Sequence, residues 1–439
     1  MVEKMTNKIA ILGAGMAGFG AAYRFGEEGL RPPMYERGER HGGHTVSYVH
    51  DSGFIFDDGP HVSFTKDERM KELFAGFVSG KYELVESRVN NYWHGQWVKH
   101  PAICNLHGLP DALVASCIED FVAAHRREPT EIRNYEEWLL ATYGRAFYDN
   151  FPKDYTVRYH TAPAKQMDID WLGPRLYRPE LREVLLGALS AQTADVHYVE
   201  NFRYPTHGGF QPYIDPLPEV TDLRLRHEVV GIDPGEGILC FADGSSAEFE
   251  HLVSSLPLPE LIRVLPDVPD EVSEAASLLA ASTCVVVNVG VDRADLSEAQ
   301  WTYFYDRDIF FTRLSYPHML SPNMAPEGAG SFQAECYYSD KYRPLERTPE
   351  SCIEPVVRDL RRCGLIRVDD TILHTNATVT RYANVIFDLD RAPSLEIVNG
   401  YLDELSIARC GRYAEWGYHW TDESFRSGEA AAQLILDRL

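Results

Sequence analysis

A glycine cluster near the N-terminus limits the fold more than any other segment. The apolar run Lys8-Ile9-Ala10-Ile11-Leu12 reads as a buried strand. It runs directly into Gly13-Ala14-Gly15-Met16-Ala17-Gly18, and Ala21-Ala22-Tyr23-Arg24-Phe25 continues at helical spacing. A second strand, Pro33-Met34-Tyr35-Glu36, ends in an acid 23 residues after Gly13. Strand, glycine turn, helix, strand and acid, in that order, form the context in which a GxGxxG segment binds a dinucleotide. Gly13 permits the tight turn. Gly15 lets the backbone N–H groups at the helix start, around Ala17, approach a pyrophosphate. Gly18 allows close helix–sheet packing, and Glu36 is placed to accept hydrogen bonds from a ribose.

The next segment narrows the cofactor. Glu36-Arg37-Gly38-Glu39-Arg40-His41-Gly42-Gly43-His44 resembles the R-x-G-G doublet that follows the acid in flavoproteins of the glutathione-reductase and amine-oxidase type. That resemblance implies FAD rather than NAD, with Arg37, Gly43 and His44 beside it. His227 to Ile232, Asp243-Gly244 and His251 to Pro257 read as strand, hairpin and strand, and in such flavoproteins the first strand touches the adenine side at about Val229. Near the C-terminus, Gly411-Arg412-Tyr413 is followed by Thr421-Asp422-Glu423-Ser424-Phe425 and a helix. By the same resemblance, Arg412, Thr421, Asp422 and Ser424 hold the flavin end. The predicted fold class is α/β: a Rossmann-like FAD-binding domain of the glutathione-reductase type, with an inserted helical domain and an inserted mixed β-sheet substrate domain. The FAD domain is expected from residues 1–85, 205–265 and 400–439, the helical insert from 105–204, and the sheet domain from 86–104 and 266–399.

Within the inserts, Asp111 to Ala124 spaces its apolar residues for one buried helical face. Tyr135 to Gly144 starts after Asn134, an N-cap residue, and ends at glycine. Ser282 to Val291 is a β-branched run that reads as a strand. Residues 265–400 are expected to mix strands with one helix near 350–362.

Charge and composition exclude other classes. With 42 Lys+Arg against 66 Asp+Glu the net charge is −24, which disfavours nucleic acid and an anionic lipid surface as partners. Hydrophobic residues at 44% and charged residues at 25% are ordinary for a globular chain. No run of about 18 apolar residues exists to span a membrane. The N-terminus leads straight into the glycine motif without the pattern of a signal peptide. The eight cysteines are scattered and form no C-x-x-C, so reduced thiols in a cytoplasmic protein are expected, with no metal site.

Taken together, the order of segments resembles the UDP-galactopyranose mutases, particularly the eukaryotic-type sequences, within the amine-oxidase and protoporphyrinogen-oxidase clan. Gly53-Phe54-Ile55-Phe56-Asp57-Asp58-Gly59-Pro60-His61-Val62 resembles the segment that brings a histidine, here His61 after Gly59, beneath the flavin. Trp171-Leu172-Gly173-Pro174-Arg175 resembles the motif whose arginine grips the substrate diphosphate. Trp301-Thr302-Tyr303 and Arg313 resemble the sheet residues that complete that site, and Gly411-Arg412, Trp416 and Tyr418 resemble its flavin- and phosphate-contacting end. The chain departs from the pattern at Pro60, where the family has glycine, and at Ala383 to Phe387, where the family has a tyrosine.

What the resemblance implies is a redox-neutral ring contraction of a nucleotide-diphosphate sugar, a pyranose/furanose mutase reaction. The N5 of reduced FAD acts as nucleophile at the anomeric carbon. NAD(P)H or another external reductant keeps the flavin reduced, and family analogy adds a homodimer. His61, Arg175, Arg313, Tyr303, Tyr418 and Trp301 are the expected catalytic set. Two other functions remain open on the residues: an FAD-dependent oxidase or desaturase of the same clan, whose sign is an aromatic or apolar cage without paired arginines, and a non-catalytic FAD-binding protein.

Overall fold

The structure, a computed structural model, describes residues 8–127, 131–173, 176–193 and 199–439. Ile9–Leu12, buried at every position, is the central strand of a five-stranded parallel sheet. Its order is Ala408–Arg409, His251–Ser254, Ile9–Leu12, Pro33–Tyr35, Asp222–Arg224. Strands covered on both faces need apolar residues throughout, which is why Ile9 to Leu12 carries no polar alternation.

Two helices cover one region of this sheet and cross at glycines. Met16–Glu27 packs against Thr421–Leu436. A Cβ on Gly20 would lie 2.0 Å from the Phe425 carbonyl oxygen, and one on Gly428 would lie 1.9 Å from that of Ala17. The two backbones are therefore in direct contact, and the C-terminal helix is fastened to the helix that begins at the glycine turn.

The segment expected as strand, hairpin and strand resolves into two sheets. Val229–Asp233, Ile238–Phe241 and Ser246–Glu248 form an antiparallel meander, while His251–Ser254 joins the parallel sheet beside Ile9–Leu12. A mixed seven-stranded sheet runs in the order Ile372–Val385, Ala281–Val291, Gly330–Tyr338, Arg313–Ser315, Trp301–Phe304, Val89–Trp93, Gln96–Lys99. Its one parallel pairing joins Trp301–Phe304 to Val89–Trp93.

Between residues 105 and 200 the described elements are helical: Asp111–His125, Tyr135–Tyr143, Arg145–Asn150, Pro152–Tyr159 and Leu181–Leu189. Asn134 caps its helix as expected, its Oδ1 accepting from Glu137 N–H at 3.0 Å. The expectation of a single helix between 265 and 400 is corrected. Besides Ile353–Arg362 there are Asp270–Leu278 and Arg391–Glu404, packed on one another. The latter has Pro393 in its first turn, where a missing N–H breaks no helical bond, and Gly400, a poor helix former, towards its end, and it buries Leu395, Val398 and Leu402. All eight cysteines are free, and only Cys240 is exposed. Among the described residues no helix is long and apolar enough to cross a membrane, and no cluster of His, Cys, Asp and Glu could hold a metal ion.

Candidate active site

A cavity of about 1200 Å³ runs from the Gly13 turn, past His61, to a tyrosine-rich wall built by the helical segment and the mixed sheet. Single-ligand pockets are typically ~300–1,000 Å³, so the space suits a large cofactor with a substrate beside it.

At the dinucleotide end each glycine has a steric reason. Gly13 has φ +92, and a Cβ on Gly18 would lie 2.0 Å from the Gly13 carbonyl oxygen. The second glycine pair closes on the first. Gly42 N–H donates to the Ala14 carbonyl at 2.7 Å, and a Cβ on Gly43 would lie 3.3 Å from Gly15 Cα. Glu36 fastens both turns: Oε2 accepts from Ala14 N–H at 3.0 Å and Oε1 from Gly38 N–H at 2.8 Å. Each oxygen keeps a second lone pair for a ribose hydroxyl. Arg37, Ala17 and Val229 line the same cavity.

The middle of the cavity is shaped by a histidine and carboxylate pair. His44 Nδ1 lies 3.0 Å from Asp58 Oδ2, and Thr380 Oγ1 donates to Asp58 Oδ1 at 2.7 Å. Burial alone would raise the Asp58 carboxyl, but the hydrogen bonds and charge of His44, with Thr380, hold it below the ordinary value. His61 Nδ1 lies 2.9 Å from the Gly59 carbonyl oxygen. A carbonyl only accepts, so Nδ1 carries the proton and Nε2 is left as an acceptor. Burial pushes the imidazole down to about 4, keeping it neutral at pH 7.

That depression has a signed consequence for stability. The folded value lies below the ordinary 6.5, so the unfolded chain protonates first as pH falls. The contribution of His61 is complete above pH ~6.5 and is lost towards pH ~4, by up to ~1.4 kcal/mol per pH unit. The unfolding free energy of wild type minus that of His61→Phe is expected to shrink over that range. A difference that stays constant from pH 7 to 4 would show that His61 titrates as it does in water.

At the C-terminal end, Arg412 and Thr421 line the cavity with Ser424, and Asp422 lies in the same helical turn. Arg412 Nε, Thr421 Oγ1 and Asp422 Oδ1 are buried without a hydrogen-bond partner. Such atoms are costly unless a ligand satisfies them. A guanidinium, a hydroxyl and a carboxylate next to the glycine turn fit the phosphate and polyol groups of FAD.

The far wall carries the substrate-side residues. Arg313 is half-buried and forked onto Glu335, Nε to Oε2 at 2.6 Å and Nη2 to Oε1 at 2.7 Å. The Tyr337 hydroxyl donates to the same carboxylate. One edge of the guanidinium is thus committed within the protein, and Nη1 with the outer Nη2 proton is left for the cavity. Trp301 Nε1 donates to the Tyr303 hydroxyl at 3.1 Å. Burial raises the Tyr303 hydroxyl against the lowering influence of Arg313 and the Trp301 N–H, so it keeps its proton and can donate it onward. Arg412 Cζ sits 4.7 Å from the Tyr418 ring centroid, a cation–π contact. The expected site residues His61, Arg313, Tyr303, Tyr418, Trp301 and Arg412 therefore share one cavity. Arg175 lies outside the described residues.

Several lining residues escape the sequence. Tyr155 and Tyr159, one helical turn apart on Pro152–Tyr159, stack at 5.5 Å and 16° and face Tyr303 and Arg313. Their i, i+4 spacing behind a proline was the available signal. Glu335 was announced only by polar residues at alternate positions, Gln333 and Glu335, in a strand buried throughout. Tyr382, just before the Ala383–Phe387 segment, lines the cavity but donates its hydroxyl to Glu260 Oε1 at 2.9 Å.

Known proteins share this architecture. The structure of reduced UDP-galactopyranose mutase superposes with a TM-score of 0.92 at 24% identity, covering 99% of this chain and 96% of that one. A putative protoporphyrinogen oxidase from Exiguobacterium sp. 255-15 gives 0.76 at 16% identity, covering 99% of both chains. A CLA-producing fatty acid isomerase from P. acnes gives 0.63 at 15% identity, covering 98% of both. At such identities the likeness concerns the fold. Residues 16–436 match the profile of flavin-containing amine oxidoreductases. With the glycine turns, the partnerless polar atoms beside them and nearly the whole length matched, the chain belongs to the flavin-containing amine oxidoreductase family.

Proposed function

We propose that this chain is an FAD-dependent pyranose/furanose mutase acting on a nucleotide-diphosphate sugar. The observation that carries the reading is the wall opposite the cofactor end. It combines the guanidinium of Arg313 with the hydroxyls of Tyr155, Tyr159, Tyr303 and Tyr418, and meets the cofactor end where Arg412 lies over the Tyr418 ring. Such a wall suits a diphosphate whose charge grows as it departs. The fold-wide likeness to UDP-galactopyranose mutase supports it.

In this reading the Gly15 and Gly43 turns hold the cofactor's pyrophosphate, Glu36 its ribose, and Arg412, Thr421 and Ser424 its remaining polar groups. Reduced FAD, when bound, supplies the nucleophile for the anomeric carbon. Arg313 and Tyr303 stabilise the leaving diphosphate and hold it for return. Glu335 keeps Arg313 fixed, so the donor needs no reorganisation when charge develops. Tyr155 and Tyr159, both raised well above the ordinary phenol value by burial, remain hydrogen-bond donors at any working pH.

The test is incubation of the dithionite-reduced protein with UDP-, GDP- and dTDP-sugars, with products separated by chromatography. Pyranose–furanose exchange with one sugar, absent in the oxidised protein, is the expected result. A second reading, an FAD-dependent oxidase, draws on one observation: Glu335 neutralises Arg313, leaving a wall dominated by aromatic rings. Oxygen consumption with an amine or porphyrinogen, and no exchange with any sugar, would favour that reading instead.

A further inference from the structure

Six histidines line the cavity, and five have a ring nitrogen held by the protein. His44 is held by Asp58, His61 by the Gly59 carbonyl, His100 by Asn91, His227 by the Leu225 carbonyl, and His419 faces Glu415 at 3.3 Å. The sixth, His160, follows directly on Pro152–Tyr159, its backbone N–H bonded to the Thr156 carbonyl at 2.8 Å. It is only 8% exposed. Its ring is packed by Tyr159 at 4.8 Å and Trp171 at 5.0 Å, and neither nitrogen bonds to any described residue. An imidazole fixed among aromatic rings yet open to the cavity is a hydrogen-bonding group held ready for something that enters.

We propose that His160 is a specificity residue that hydrogen-bonds a hydroxyl of the substrate's sugar. The proposal rests on the nucleotide-sugar reading above. Burial drives His160 down to about 3, so it is neutral at working pH and offers one donor and one acceptor rather than a charge. A diphosphate only accepts and is better served by Arg313, which lies 5.8 Å from the neighbouring Tyr159 ring. Tyr305, packed on Tyr155 at 5.6 Å and lining the same cavity, is an aromatic ring on which a planar base could stack. A sugar hydroxyl, donor and acceptor at once, matches what a neutral imidazole presents.

The test is calorimetric titration of the reduced, FAD-loaded protein with UDP-galactose, UDP-glucose and GDP-mannose, each paired with its bare nucleotide. His160→Phe is expected to weaken the nucleotide sugar that wild type binds by about tenfold, the worth of one lost hydrogen bond. Affinity for the bare nucleotide is expected to stay within about twofold, and His160→Gln, which keeps a donor and an acceptor, to recover most of the loss. A thermal melt of each variant reports folding separately. Equal loss for sugar and bare nucleotide, or no loss in His160→Phe, overturns the assignment while leaving the mutase reading intact. Wild type that binds no nucleotide sugar overturns both.

Discussion

Arg313→Ala is expected to remove nucleotide-sugar turnover and to destabilise the fold together. The kinetic loss is that of a preorganised donor to a leaving group, about 10²–10³ in rate. The second loss comes from Glu335, which is 1% exposed and answered by the Arg313 fork. Removing one partner of such a pair strands a buried charge at a cost of about 3–5 kcal/mol. The Tyr337 hydroxyl, still donating to Glu335, offsets part of this. Pairing Arg313→Met with Glu335→Gln removes both charges and is expected to restore most of the stability while turnover stays lost. Denaturant unfolding and initial rates separate the two effects. A single variant as stable as wild type would mean that Glu335 does not depend on Arg313.

The other large effect is expected at the helix crossing. In Gly428→Ala the new Cβ meets the Ala17 carbonyl oxygen at 1.9 Å and Ala21 N at 2.6 Å. Both are backbone atoms, so the two helices must separate. Overpacking of this kind costs about 1–3 kcal/mol. The displaced helix also begins at the Gly15 turn, so FAD content should fall with stability. The ratio of flavin to protein absorbance after purification, beside a thermal melt, measures both. Gly400→Ala is the matched control, a helical glycine with nothing within 4 Å of its would-be Cβ, and should stabilise by about 0.5–1 kcal/mol. Variants that behave alike would remove the crossing as the cause.

The dinucleotide end was legible because its physics is local. The Gly13–Gly18 turn, the Gly42-Gly43 pair and Glu36 are constrained by backbone approach, and residue type reports that directly. Asn134 and Gly144 marked their helix for the same reason. The far wall was less legible because its partners meet only through sheet register and helix packing. Arg313 and Glu335 face each other across two strands, a pairing no spacing rule announces. His160 looks like any histidine until its neighbours are counted. The helix Arg391–Glu404, which contains Gly400 and starts with a proline in its first turn, is held by what Leu395, Val398 and Leu402 pack against more than by its own preferences.

The parallel sheet sets an order of events during synthesis. Ile9–Leu12 leaves the ribosome some 240 residues before its neighbour His251–Ser254, and the helix that clamps the glycine turn is made later still. Closing such distant pairs is slow, and an apolar strand waiting for them is open to wrong partners. The cradle is therefore complete only once residues 421–436 have been made and packed on Met16–Glu27, which places flavin binding after that helix has formed.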